Sequence, residues 1–299
     1  MNKLDPAKRA QILGMMVEGM SIRAITRLTG ASKNTVAKLL ATAGQAALEY
    51  QNQKLRNLTC KKVQCDEIWS FVYAKQKNVP EAMKGRKDVG SVWTWTAIDA
   101  DTKLIATWAV GPRDGDMAYA FMCDLADRLQ GRIQLTTDGH GAYLNAVRDA
   151  FGRDIDYAML VKIYGENGDK DGRYSPPSCL GARPEEIIGH PKAEDISTSY
   201  VERQNLSMRM GMRRFTRLTN AFSKKLENHV HAISLYFLHY NFVRVHQTLR
   251  CTPAMAAGVV DTLWSMNDLV AVVDAYEAKL PRQKPGRKPK AASQPEESN

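Results

Sequence analysis

Residues 63–71 read Val63-Gln64-Cys65-Asp66-Glu67-Ile68-Trp69-Ser70-Phe71, and here the chain changes period. Val63, Cys65, Glu67, Trp69 and Phe71 alternate with Gln64, Asp66, Ile68 and Ser70, the two-residue repeat of a strand. Strand geometry sends Asp66 and Glu67 to opposite faces, so only one of them is expected to point at a given site.

Upstream of this strand the pattern is helical. Asp5 can cap a first helix with Pro6 in its first turn, and Ile12, Leu13, Met16 and Val17 form its apolar stripe. Gly19 ends it. Ser21 caps a second helix with Ile22, Ile25 and Leu28 at helical spacing, and Thr29-Gly30-Ala31 turns the chain. Ser32 then caps a third helix with Val36, Leu39 and Leu40 facing inward, while Lys33, Asn34, Thr35 and Lys38 lead its polar face. That layout is expected for a helix-turn-helix domain over residues 1–45, whose second helix enters the DNA major groove N-terminus first. An ordinary helical hairpin is the alternative. Residues 46–61 read as the end of a helix running into a linker.

Downstream, Ser91–Asp99 and Lys103–Val110 form a hairpin around Ala100-Asp101. A helix follows from Asp116, then a strand from Arg132 to Thr137 that ends at Asp138-Gly139-His140-Gly141, a helix from Ala142 to Phe151, and a strand over 155–163. Residues 165–197 are rich in Gly, Pro and charge and read as an inserted loop. A long helix is expected from Phe222 and a last one over Asp261–Lys279. The Lys/Arg/Pro/Gly tail, 281–299, cannot bury a core and is expected to be disordered. Three antiparallel-type strands, then strands and helices in alternation, and a late helix, predict an α/β fold. The order is that of a ribonuclease-H-like mixed sheet flanked by helices, over residues 62–257, with a C-terminal helix in 258–280.

In that order Asp66 sits in the first strand, Asp138 at the C-terminal end of the fourth and Glu202 at the start of a later helix; open sheets gather their sites at strand ends. Each acid has a bland reading: a solvated strand residue, a helix cap, a first-turn glutamate favoured by the helix dipole. The surroundings of Glu202 favour chemistry on a polyanion. From Glu202 to Arg250 there are nine Lys/Arg and two Asp/Glu, and Arg203, Arg209, Arg213, Arg214 and Arg217 all follow within fifteen residues. The whole chain carries a net charge of +10, which points to nucleic acid or another anionic partner. No apolar run has membrane-spanning length and no signal peptide is evident, so a cytoplasmic, nucleoid-associated protein is expected. Five scattered cysteines, Cys60, Cys65, Cys123, Cys179 and Cys251, indicate neither a disulfide framework nor a zinc finger. His229, His231 and His239 fall on the long helix, where packing is the commoner role, and none is assigned to metal.

Three segments, CDEIWSFVYAKQK (65–77), TTDGHGAY (136–143) and STSYVERQNLSMRMGMRRFTRLTNAFSKK (197–225), resemble DDE transposases of the insertion-sequence-one type. YNFVRVHQTLRCTPA (240–254) is similar to the end of many retroviral-integrase-like transposase cores. The resemblance implies that Asp66, Asp138 and Glu202 are the catalytic, metal-holding acids and that Arg209 is the basic residue seven positions after the glutamate. Members of this type often carry an N-terminal cysteine-pair zinc module, which this chain lacks, and the Asp138–Glu202 interval is longer than in the short form. The implied activity is Mg²⁺-dependent cleavage and 3′-OH strand transfer of double-stranded DNA, with Mn²⁺ able to substitute, by a homo-oligomer that pairs two element ends. A nuclease that cuts without joining, and a DNA-binding regulator with an inactive core, are the alternatives.

Overall fold

The computed structural model describes residues 3–165, 179–216 and 220–281. Helix α1 (Pro6–Val17) starts where the Asp5 carboxylate accepts the Lys8 backbone N–H, and α2 (Ile22–Thr29) where Ser21 accepts that of Ala24. Gly30 closes α2 at φ 71°, a left-handed turn that carries no penalty without a Cβ. Ser32 caps α3, accepting the Thr35 N–H at 3.1 Å. Val36, Leu39 and Leu40 are buried as their spacing predicts, but Leu28 is 60% exposed and Thr29 takes the inward position.

Helix α3 spans Lys33–Lys54, so it runs straight through the boundary expected near residue 45. Its middle turns carry Ala43, Gly44, Ala46 and Ala47, small enough to lie close against α7 (Leu226–Phe242). Packing on a second helix, rather than intrinsic propensity, sustains it. The rest of the expected linker is also tied down: Leu55, Leu58 and Cys60 are buried, and Leu58 bridges Leu129. Residues 46–61 therefore form no free linker.

The remaining elements are β1 (Lys62–Val72), β2 (Gly90–Asp99), β3 (Ile105–Gly111), α4 (Gly115–Ala126), β4 (Ile133–Asp138), α5 (Ala142–Phe151), β5 (Ile155–Tyr164), β6 (Cys179–Ile188), α6 (Ser199–Gly211), α8 (Pro253–Ala256) and α9 (Met266–Lys279). The six strands form one mixed sheet in the order β3-β2-β1-β4-β5-β6. β1 pairs antiparallel with β2 and parallel with β4; β4 pairs parallel with β5. This arrangement is compatible with the ribonuclease-H-like order expected from the sequence. Two expectations are corrected. The stretch 165–197 is not all loop, because Cys179–Ile188 adds an exposed sixth strand antiparallel to β5. Pro184 and the scattered charges that look loop-like are tolerated at an edge, where one side of the backbone needs no partner. The last helix begins at Met266 rather than near Asp261, since Ser265 and Asp268 supply the capping box. The tail from residue 282 lies outside the described residues.

The sheet has two covered faces. Val63, Cys65, Trp95, Ala97 and Leu135 pack with Phe121, Met122, Tyr143 and Val147 of α4 and α5, and this core is continuous with α1, α3 and α9. On the other face Ile68, Ile98 and Ile105 pack with Val201 and Met208 of α6 and Ile233 and Phe237 of α7. Among the described residues no helix is long and apolar enough to cross a membrane.

Candidate acidic site at the ends of two parallel strands

The parallel ladder between β1 and β4 runs from Lys62↔Gln134 to Cys65↔Thr137 and then stops. Asp66 and Asp138 are the next residues on their strands, so they stand at the point where the ladder opens. Asp138 is not the cap of α5: that position belongs to Gly141, which makes no side-chain cap bond. The Asp138 carboxylate instead accepts the His140 N–H at 3.0 Å and faces Arg113 Nη2 at 3.4 Å.

Asp66 and Glu67 do take opposite faces, yet both reach Asp138. Asp66 lies on the α6 side, where Asn205 Nδ2 donates to its Oδ2 at 2.9 Å; its Oδ1 accepts the Glu67 N–H at 2.8 Å. Glu67 lies on the α5 side and takes Arg113 Nε on Oε2 at 3.0 Å. Asp138, at a strand end, borders both faces, and one ligand atom each from Asp66, Glu67 and Asp138 lie within 4.8 Å of one another. The cavity in front of the acids, about 370 Å³, is lined by Asp66, Arg113, Asp138, Gly139, His140, Gly141, Val161 and Lys162. Of the two adjacent acids only Asp66 lines the cavity, as opposite strand faces predict, while Glu67 lies behind it, buried but still within the three-acid group.

Glu202 sits in the first turn of α6 outside that three-acid cluster. Its carboxylate accepts Thr198 Oγ1 at 2.5 Å and pairs with Lys162 Nζ at 2.7 Å. What brings α6 here is β1: Gln64, two residues before Asp66 on the same face, accepts the free N–H groups of Tyr200 and Val201 with its side-chain oxygen at 2.8 and 3.2 Å. Asp66 then holds Asn205 one turn farther on. The Glu202 charge is felt at Asp66, where it adds to burial and Asp138 in favouring the protonated form.

Burial, and next the Asp138 charge, push Asp66 up to about 6 and Glu67 to about 7, against ordinary carboxyl values near 4. The folded protein thus keeps protons that the unfolded chain has already released. The stability these two carboxyls contribute is present below about pH 4 and is lost as pH rises through 6 to 7. Asp66→Asn is accordingly expected to melt higher than wild type in EDTA at pH 8, by roughly 2–4 °C for each kcal/mol relieved. The gap should shrink at pH 5. A pH-independent gap would mean that the acids are not in mutual repulsion.

Of the expected DNA-contacting residues, Lys33, Asn34, Lys38, Arg203 and Arg213 are exposed, and Thr35, Arg209 and Arg214 half-buried. Arg217 lies outside the described residues. Of the histidines on the long helix, His229 is fully buried beside Ser70 and Ser223, and His231 abuts Gly44. Sequence pattern marks none of Arg113, Lys162, Asn205 and Gln64 as a site residue, and offers Glu67 only as the alternative to Asp66. Asn205, three residues after Glu202 on one helical face, was legible in the motif; Arg113, in the loop after β3, had no periodic signal.

The three acids could hold a metal ion, each offering a carboxylate oxygen. No family model matches the chain, and no curated protein matches it.

Proposed function

We propose that this protein is a DDE-type DNA transposase with a ribonuclease-H-like core and an N-terminal helix-turn-helix. One observation carries the reading: Asp66 and Asp138 stand side by side just past the last rung of the parallel ladder, and α6, which carries Glu202, is fastened to the same strand through Gln64 and Asp66. Adjacent oxygen ligands in an open cavity beside a cationic surface suit metal-assisted phosphodiester chemistry. Mg²⁺, or Mn²⁺ in its place, would be held by Asp66 and Asp138 and would supply Lewis-acid activation of the attacking hydroxyl and the scissile phosphate. Glu202 completes the acid set on giving up its Lys162 contact; Glu67 is a fourth acid within reach.

The protein's own groups then have distinct tasks. Asn205 fixes the orientation of Asp66, and the His140 N–H that of Asp138. Arg113 and Lys162 offset the charge of four neighbouring carboxylates. Arg203, Arg209, Arg213, Arg214 and Arg217 hold backbone phosphates, while Lys33, Asn34, Thr35 and Lys38 meet bases and phosphates in the major groove. Water attacks the phosphodiester at the element end and its P–O3′ bond breaks, freeing a 3′-OH. That hydroxyl attacks a target phosphodiester, forming a new P–O bond and expelling the target's 3′-oxygen. Pairing two ends requires at least two protomers on double-stranded DNA, and the reading implies association with the nucleoid.

The test is incubation of purified protein with Mg²⁺ or Mn²⁺ and the DNA flanking its gene, beside Glu202→Gln. Joined products that disappear in the variant are expected, with a rate loss of roughly 10³-fold or more, the scale of losing a group that acts on the transition state. Cutting without joining would identify a nuclease instead, and DNA binding with neither activity a regulator.

A further inference from the structure

A second cavity, about 510 Å³, lies between the N-terminal helices and the segment that follows α6. Arg23, Lys33, Arg213, Arg214 and Lys224 line it, and among the described residues no aspartate or glutamate does. Its two walls approach closely at one point: a Cβ on Gly19, at the α1–α2 corner, would meet the Gly211 carbonyl oxygen at 2.5 Å. The N-terminus of α3, with its partial positive charge, opens beside Lys33.

Arg214 is the unusual member of this set. It has no carboxylate partner among the described residues, and its Nη1 donates to Ser223 Oγ at 2.5 Å. Ser223 Oγ lies 3.1 Å from His229 Nδ1, and His229 Nε2 lies 3.1 Å from Ser70 Oγ, which in turn donates to the Val92 carbonyl at 3.3 Å. The proton directions follow from the ends. Ser70 gives its one hydroxyl proton to Val92, so it accepts from His229 Nε2–H. His229 Nδ1 is then the acceptor for Ser223 O–H, and Ser223 receives from Arg214. Burial, then the Arg214 charge, hold His229 down to about 3, so the ring is neutral and carries one proton, as the chain requires. A guanidinium fixed at one edge by a relay of neutral groups, on a cavity wall with no acid among the described residues, keeps its remaining donors for an anion.

Helix α6 runs beside β1 in the same direction. Gln64 holds its first turn, Asp66 its middle and Ser70, through His229 and Ser223, the turn beyond its end. From Glu202 to Gly211 is nine residues of helix, about 13 Å at 1.5 Å per residue. The cavity is thus a site apart from the acids and rigidly spaced from them along one strand.

We propose that this cavity is a phosphodiester-binding subsite. It takes the backbone of DNA several nucleotides from the bond that reacts, with Arg214 as its fixed anchor and Ser223, His229 and Ser70 as the positioning relay. The proposal deepens the transposase reading and rests on it for the identity of the anion as DNA. Its role is to keep DNA engaged by the N-terminal helices in register with the acids on β1.

The experiment is metal-free fluorescence anisotropy of the full chain with a labelled 30-base-pair duplex from the DNA flanking its gene, over a salt series. Arg214→Ala is expected to weaken binding about tenfold and to lower the slope of log Kd against log salt by about one. Ser223→Ala keeps the charge but frees the guanidinium, so affinity should fall while the salt slope stays. Arg23→Ala/Lys224→Ala changes two exposed side chains and should lower the slope by about two; Arg148→Ala on α5 should change nothing. Arg214→Ala and Arg23→Ala/Lys224→Ala both binding as wild type, with unchanged Tm, would overturn the proposal while leaving the transposase reading intact. Wild-type binding that responds to these variants but never leads to cutting would keep the subsite and reject the transposase.

Discussion

Asp138→Asn is expected to abolish metal-dependent cleavage, by roughly 10³-fold or more, while duplex affinity stays within about twofold of wild type. The substitution is close to a pure charge removal. An asparagine Oδ1 still accepts the His140 N–H that defines the turn after β4. What disappears is one carboxylate from the cluster with Asp66 and Glu67 and one contact to Arg113, which keeps its bond to Glu67. On the proposed reading, removing a negative charge near the DNA should leave the contacts between arginines and phosphate intact. Gel-resolved cleavage and anisotropy on the same preparation give both numbers. Parallel loss of cleavage, binding and Tm would assign Asp138 to the fold instead.

Gly44→Ala is expected to cost about 3 kcal/mol or more, lowering Tm by roughly 6 °C or more, because it overpacks a contact with no slack. A Cβ built on Gly44 lies 2.4 Å from His231 Cβ, 2.5 Å from its Cα and 2.8 Å from its carbonyl oxygen. Two of those atoms are backbone, so relief requires α3 and α7 to separate. Alanine is normally the better helix former by about 1 kcal/mol, which makes the sign diagnostic: a stabilised Gly44→Ala would show that the two helices do not meet there. Thermal melts monitored by circular dichroism decide it. The same separation would loosen α7, which carries His229, and so should weaken DNA binding by the route that Ser223→Ala takes.

Much of the local architecture was legible because its causes are local. Strand period over 63–71, the caps Asp5, Ser21 and Ser32, the turn at Gly30 and the helix at 142–151 each depend on residues within a few positions of one another. The identities of Asp66 and Asp138 as neighbours followed from strand order, since a parallel ladder places equivalent strand ends together. Where local composition misled, tertiary pairing had overridden it: a Pro- and Gly-rich stretch became β6 because β5 offered an open edge, and α3 ran on through Gly44 because α7 lay against it.

The sequence by itself determined which residues carry charge, where strands and helices begin and that a basic surface follows Glu202. Only the tertiary structure decided that Glu67 joins Asp66 and Asp138, that Lys162 holds Glu202, and that Arg214 is anchored through His229 to β1. The physical reason is separation along the chain. Asp66 meets Asn205 across 139 residues and Ser70 meets His229 across 159, and such contacts are set by where the sheet ends and how helices lie on it. No period or cap encodes them.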